Sequence, residues 1–435
     1  MAVEPQRKRR LLVISNLFAP DRGGGASVFT DLCVGLAARG WEVTVYGTHP
    51  YYPEWRRKSS DNPWRISRER YAGVTVLRHG IYVPQTPSRL IPRILCESSF
   101  GFSLLRSLLR RGSYDAVMVF CPMLSAVGFA ALRKILWREP LWLNVQDIPA
   151  DAAEASGISQ SRWFGRLAQV VQRRLFSCAE VWSTISPVMV ERLERLRGGA
   201  GPVHCCPNWL NQSMSDEVAR VGPKTGRAPS RPLRLLYAGN IGKKQGLIDF
   251  LKVLAATAIS FDFQIHGDGG EASVVKDWVL NSGDTRFRFG PFLDESGFVR
   301  ALHTTDLFVI CEKPGSGASF IPSKLIPGIA TGTPILAICD RGGPLGREVE
   351  TAGLGMVLEW TEIETLGERL EALSGDGPVF GEYQARCVER ARIYSRDHGI
   401  ANIERLLLEM TDRRDAPINR RSPGGRTSTP GSGSP

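Results

Sequence analysis

LRLLYAGNIGKKQGL, residues 233–247, sets an apolar run of strand length against a turn of glycine and lysine. Glycine turns recur in FDFQIHGDGG (261–270), FRFGPF (287–292) and FIPSKLIPGIATGTPILA (320–337). The apolar runs Leu233–Ala238, Phe261–His266, Asp306–Cys311 and Pro334–Ile338 have the length of buried parallel strands, and helix-like segments follow the first three. This predicts an α/β domain with a doubly wound, Rossmann-like parallel sheet. The first half repeats the logic with LLVISNLF (11–18), a turn at Gly23–Gly25, a helical stretch Ser27–Arg39 and WEVTVYG (41–47). Two such halves facing a cleft imply an enzyme that holds a nucleotide on one side and a second substrate on the other.

At 435 residues the chain exceeds what one core supports, so two domains are expected. The first is read as residues 11–208, with strands near 11–17, 42–47, 74–79, 115–121, 141–146 and 181–185. Residues 209–232 read as a linker, because SMSDEVARVGPKTGRAPSRP (213–232) shows no apolar period. A nucleotide-binding domain follows over 233–385, with a strand in GLGMVLEW (353–360) and helical segments at 361–374 and 379–410. The part 386–410 is a C-terminal helix placed to cross back to the first domain. Residues 411–435, rich in Arg, Ser, Pro and Gly, read as a disordered tail.

Charge is uneven. Residues 1–210 hold 28 Lys+Arg against 16 Asp+Glu, whereas residues 211–435 hold 27 against 28. Clusters at Arg7–Arg10, from Arg56, Arg57 and Lys58 through Arg70, and at Arg106, Arg110 and Arg111 give the first half a face that attracts polyanions, nucleic acid or an anionic leaflet. Within RLIPRILCESSFGFSLLRSLLRR (89–111), Ile94, Phe100, Leu104, Leu105 and Leu108 lie among arginines. Two readings are open there, an interfacial amphipathic helix and an ordinary helix covering the sheet. No apolar run reaches the ~18–20 residues that span a bilayer. The first apolar segment reads as a strand and not as a signal peptide, since it contains Ser15 and Asn16 and runs into Asp21 and Arg22. Nine cysteines without any CxxC pair argue against disulfides and zinc and for a reducing cytoplasm.

Candidate binding groups gather at strand ends. In NLFAPDRGGGA (16–26), Asn16, Gly24 and Gly25 let main-chain amides approach an anion at a helix start. In YAGNIGKKQG, Asn240, Lys243 and Lys244 follow a strand, and either lysine is placed to neutralise a diphosphate. Gly267 closes the next strand, and His266 before it reads as a packed residue. The loop KPGSGAS (313–319), containing Gly317, leads to Ser323 as a helix N-cap with Lys324 in the first turn and Pro327 after it. In NVQDIPADAA (144–153), Asp147 and Asp151 suit sugar hydroxyls or proton transfer from an acceptor, with an N-cap role for Asp151 equally open.

Taken in order, ISNLFAPDRGGGA, PYYPEW (50–55), VQDIPADAA, STISPVMVERL (183–193), CPNWL (206–210), YAGNIGKKQGL, FQIHGDG, FGPF and PSKLIPGIATGTPILA resemble bacterial family 4 glycosyltransferases of the GT-B fold. The nearest likeness is to those of colanic acid and other exopolysaccharides, over about residues 11–405. The resemblance implies a retaining hexosyltransferase without metal or other cofactor. Its donor is a UDP- or GDP-linked sugar on the second domain. Its acceptor is a polyprenyl-diphosphate-linked saccharide met at the inner face of the cell membrane, where the basic first half contacts anionic lipid; nucleic acid is not a partner. Lys244 and Lys324, with amides near Gly24 and Gly317, would then hold the departing diphosphate, and Asp147 and Asp151 would orient sugar or acceptor.

The chain departs from that family's pattern. The family's glutamate pair, spaced by seven residues, falls on Ser319 and Pro327; its arginine after the first glycine falls on Asn240, its following lysine on Gln245, and a histidine before the QD pair on Asn144. Other readings are a UDP-sugar epimerase, a catalytically silent transferase-like partner and a basic nucleic-acid-binding protein. Release of free nucleoside diphosphate, binding of nucleotide sugars and salt-sensitive binding to nucleic acid separate them.

Overall fold

The computed structural model describes residues 7–22, 25–58, 64–85, 90–109, 112–148, 162–222, 224, 231–316, 321–375 and 377–415. The first sheet contains β1 (Arg10–Ile14), β2 (Glu42–Thr48), β3 (Ser67–Tyr71), β4 (Val74–His79), β5 (Ala116–Cys121), β6 (Leu141–Val145), β7 (Val181–Thr184) and β8 (Val203–Cys205). Their spatial order is β3-β4-β2-β1-β5-β6-β7-β8, parallel throughout except for the β3–β4 pair. Strands β5 and β6 are buried along their whole length, as parallel strands covered on both faces must be. The covering helices include α1 (Ala26–Ala38), α2 (Leu90–Leu105), α3 (Leu124–Trp137), α4 (Arg162–Phe176) and α5 (Pro187–Arg197). Strand β3, SRERY, has no apolar alternation to announce it. It exists because the Ala72–Gly73 turn, with φ of 44° and 85°, folds it back on β4, and its charged side chains suit an edge.

Between the sheets, the segment read as the linker contains α6 (Gln212–Val221). The Asn211 side chain caps it by accepting from Met214 N at 2.9 Å. Met214 and Val218 form an apolar stripe one residue wide, too thin to register as a period, and pack on the second lobe.

The second sheet holds β9 (Leu233–Asn240), β10 (Phe261–Asp268), β11 (Phe287–Gly290), β12 (Leu307–Cys311), β13 (Ile335–Ile338) and β14 (Gly355–Leu358), all parallel in the order β11-β10-β9-β12-β13-β14. Counted from β9 this is 3-2-1-4-5-6, and the direction of winding reverses between β9 and β12, which is where such folds bind nucleotides. Helices α7 (Leu247–Ala255), α8 (Ala272–Ser282), α9 (Glu295–Thr304), α10 (Leu325–Ala330), α11 (Pro344–Thr351) and α12 (Leu366–Gly375) flank it.

The C-terminal segment differs from the single helix expected over 379–410. Helix α13 (Gly377–Arg390) stops, the chain passes through an extended Ser395, and α14 (Arg396–Asp415) begins anew. The break is anchored: the Tyr394 hydroxyl donates to Glu348 at 2.7 Å, and its carbonyl accepts from Leu210 N at 3.1 Å. Helix α14 does cross to the first lobe, where Ile400, Ile403, Leu406, Leu407 and Met410 join the core with Leu32 and Leu36. Two glycines permit the crossing. A Cβ on Gly35 would lie 2.4 Å from Ile400 Cδ1, and one on Gly399 would lie 2.3 Å from Trp209 Cε3. Order also continues past the expected tail boundary at 411: Arg9 donates to Thr411 Oγ1 at 2.8 Å and to Asp412 at 2.6 Å.

Candidate active site

The two lobes present their strand ends to each other. Helices α5 and α11 leave the carboxyl ends of β7 and β13, and their first turns meet through Arg347 and Glu191 at 2.9 Å. The facing edges therefore carry the groups that follow β1, β5 and β6 on one side and β9, β10 and β12 on the other.

On the second lobe, Lys324 sits at the N-cap of α10, half-buried, with its Nζ 4.1 Å from the centre of the Tyr237 ring. Its stem passes Gly239, where an added Cβ would lie 3.7 Å from Lys324 Cδ. Burial pulls the ammonium down to about 8, with Cys311 and Glu312 opposing the shift. Glu312, the first residue beyond β12, is 9% exposed. Its main chain is fully engaged, donating to Ile338 O at 2.8 Å and accepting from Trp360 Nε1 at 2.7 Å. Its carboxyl group has no hydrogen bond among the described residues, and burial pushes it up to about 7 against the pull of Lys324. The switch point of the sheet thus holds two desolvated, oppositely charged side chains that do not pair.

The neighbouring candidates take more varied roles. Lys243 and Lys244 are exposed, and Lys244 O accepts from Lys313 N at 2.7 Å and Ser316 Oγ at 3.1 Å, tying the loops after β9 and β12 together. Asn240 and Gln245 brace the first of those loops: Gln245 Oε1 accepts from Gly242 N at 3.0 Å and Asn240 Nδ2 at 3.3 Å. Gly267 is required by packing alone, since a Cβ there would lie 2.1 Å from Gly239 O. His266 is held at Pro291 O, 2.9 Å away. Ser323 is exposed and does not cap the helix, which starts at Leu325 after a turn in which Leu325 N donates to Pro322 O at 2.9 Å. The cause is Pro327: lacking an N–H, it is accommodated as the third residue of α10. Gly317 lies outside the described residues.

On the first lobe, Asn16 Nδ2 donates to the Tyr51 hydroxyl at 3.0 Å, and the PYYPEW segment is fixed by Asp21, whose carboxylate accepts from Tyr51 N and Tyr52 N at 2.9 Å each. Gly25 caps α1 at φ 91°, with Phe29 so close that a Cβ would be 2.7 Å from its ring. Gly24 and Asp151 lie outside the described residues. Asp147 follows β6 beside the buried Cys121, whose thiol is pushed well up by burial first and then by Glu97 and Asp147. Glu97, on α2, accepts from Ser125 N at 3.2 Å and Ser125 Oγ at 3.0 Å, and burial raises its carboxyl group too. Behind them runs a relay: Asn144 Nδ2 donates to Ser183 Oγ at 3.0 Å, Gln146 Nε2 to Asn144 Oδ1 at 2.6 Å and Asn208 Nδ2 to Gln146 Oε1 at 2.9 Å. This ties the QD strand end to the CPNWL segment just before the crossing between lobes.

Sequence reasoning missed Glu312, Glu97 and Tyr237. Glu312 had a local signal, a carboxylate directly after a strand in a nucleotide-binding pattern. Glu97 had none, because a single glutamate in a basic amphipathic segment reads as solvated.

The two-lobed architecture agrees with the match of residues 23–209 to the glycosyl transferase 4-like domain. The chain is a glycosyltransferase. This transferase is 28% identical over 401 residues to WcaI of Escherichia coli K12, a glycosyl transferase assigned to colanic acid biosynthesis, spanning 88% of this chain and 97% of the relative. Among solved structures it resembles sucrose-phosphate synthase of Thermosynechococcus elongatus, with TM-score 0.68 and 16% identity over 93% of this chain and 100% of that one. It also resembles Anabaena HepE in complex with UDP and glucose, with TM-score 0.61 and 13% identity over 92% and 100%. These neighbours establish the GT-B architecture of the transferase.

Proposed function

We propose that this glycosyltransferase moves a sugar, with retention of anomeric configuration, from a UDP- or GDP-sugar to a hydroxyl of a polyprenyl-diphosphate-linked saccharide at the inner membrane face. Its products would be exopolysaccharide or another cell-surface glycan. The observation that carries the reading is Lys324, a half-buried ammonium at the β9–β12 switch point with no carboxylate bonded to it among the described residues. Charge that builds on a departing nucleoside diphosphate is stabilised there more strongly than in water, without reorganisation at the moment of reaction. Exposed Lys244 adds a second cation from the neighbouring loop, and Asp147 faces the acceptor from the opposite lobe. The UDP bound in HepE and the colanic acid assignment of WcaI support this choice of donor and pathway class.

The acceptor reading draws on α2. Its inner face packs Phe100 and Leu104 into the core, whereas Ile91, Leu95, Phe102 and Leu105, together with Leu109 just beyond it, form an outward stripe 44–87% exposed. Arg93 and Arg106 flank the stripe, and Trp64 lies against Arg106, accepting its hydrogen bond through the main-chain carbonyl. Apolar residues ringed by arginine and an exposed indole suit the headgroup boundary of an anionic leaflet. No helix among the described residues is long and apolar enough to cross a membrane.

Incubating purified protein with a panel of UDP- and GDP-sugars and a short-chain polyprenyl diphosphate sugar tests the proposal. Release of nucleoside diphosphate with an α-linked product from an α-linked donor is expected. An inverted linkage, or no transfer from any donor, refutes it.

A further inference from the structure

Glu312 is the least explained group in the molecule. It is nine-tenths buried at the carboxyl end of β12, next to the strand β9 from which the winding reverses, and its carboxyl group is unbonded among the described residues. Its carboxyl oxygens accept no hydrogen bond from the described residues and are not sealed off completely, so this mostly buried group at the strand end is open to a ligand. The surroundings decide in which protonation state that ligand finds it. Lys324 faces it from the start of α10 and Asp340 from the end of β13; the thiols of Cys311 and Cys339 complete the wall. Lys313 is paired with Asp249 at 2.9 Å and Arg341 with Glu350 at 2.6 Å and Glu362 at 3.0 Å, while Lys243 and Lys244 are exposed on the neighbouring loop. Among the described residues Lys324 is the cation that favours ionised Glu312, and a diphosphate seated on Lys324 would cancel that field and add its own negative charge.

We propose that Glu312 is a donor-binding residue that is protonated in the donor complex and donates its O–H to an oxygen of the nucleotide diphosphate sugar beside Lys324. The proton comes from solvent, so donor binding is coupled to proton uptake near neutral pH. The inference rests on the donor reading above and adds to it a carboxylic acid that holds the donor only in its neutral form. Between about pH 6 and 8, where burial places the titration of Glu312, donor affinity falls as pH rises.

Titration calorimetry of the full chain with UDP-glucose and a GDP-sugar, at pH 7 in two buffers of different ionisation enthalpy, tests this. The diester phosphates of these donors do not titrate there, so the uptake belongs to the protein. Roughly half a proton is expected for the wild type, the ionised fraction of a group titrating near pH 7. Glu312→Gln, which keeps shape and a hydrogen-bond donor but cannot titrate, is expected to bind within about threefold with less than half of that uptake. Glu312→Ala is expected to bind about tenfold more weakly, the effect of losing one hydrogen bond. If the Gln variant is poorly folded by circular dichroism, Glu312→Asp serves, with uptake kept and affinity lowered. Wild-type uptake in the Gln variant, or wild-type affinity in the Ala variant, overturns the assignment. A wild-type protein that binds no nucleotide sugar refutes the donor reading instead.

Discussion

Replacing Lys324 by methionine is expected to cripple the enzyme while making it more stable. The methionine keeps the apolar stem over Tyr237 and beside Gly239 and removes only the charge. A lysine about 4 Å from a phosphate oxygen, at the effective dielectric of a protein site, contributes on the order of 4 kcal/mol. Losing such a donor to developing charge typically lowers kcat by about 10²–10³. Stability moves the other way. The ammonium titrates at about 8 instead of its ordinary 10.5, because burial penalises the charge. At pH 7 both folded and unfolded chains carry that charge, so the whole penalty is present, roughly 3 kcal/mol at 1.4 kcal/mol per pH unit. It fades as pH rises from about 8 towards 10.5, where the folded form has already lost its proton. The ring contact with Tyr237 offsets about 0.5–2 kcal/mol. A net gain of about 1–3 kcal/mol should raise Tm by several degrees at pH 7 and by less at pH 9.5. The assays are kcat/KM for nucleotide sugar and differential scanning calorimetry at both pH values. A kcat/KM within threefold of wild type, or a Tm below it at pH 7, refutes the reasoning.

Other perturbations report on the scaffold and the membrane face. Phe102→Glu with Leu105→Glu on α2 should abolish flotation with phosphatidylglycerol vesicles and leave nucleotide-sugar binding intact; undiminished flotation rules out that surface. Arg133 and Glu139 form a fully buried two-pronged pair at 2.7–2.8 Å, so Arg133→Ala should cost about 3–5 kcal/mol in urea unfolding of the first lobe. Gly267→Ala forces a methyl against Gly239 O and should lower Tm and, on the proposed donor reading, donor affinity together, because it spreads β9 from β10 at their carboxyl ends. Gly399→Ala should loosen α14 from Trp209, visible as faster hydrogen exchange in α14 with the second sheet unchanged.

Much of the fold could be read locally. Ala116–Cys121 is apolar throughout, as a strand covered on both faces requires, and Phe261–Ile265 alternates apolar and polar residues at the strand period before a glycine turn. What escaped was structure whose stabilisation comes from elsewhere in the chain. Strand β3 is polar and exists through its pairing with β4. Helix α6 has one thin stripe and needs the second lobe to cover it. The break at Ser395 is made by Glu348 and Leu210, far away in sequence.

The amino-acid order alone determined two doubly wound lobes, glycine-and-lysine turns at strand ends and a basic first half, because strand length, helix period and turn chemistry are properties of neighbouring residues. Tertiary structure decided which groups act together. Lys324 and Glu312 lie twelve positions apart, and Glu97 and Asp147 fifty apart, yet each pair converges on one strand end. Protonation there depends on how much water the whole fold excludes, and no local stretch of sequence carries that quantity.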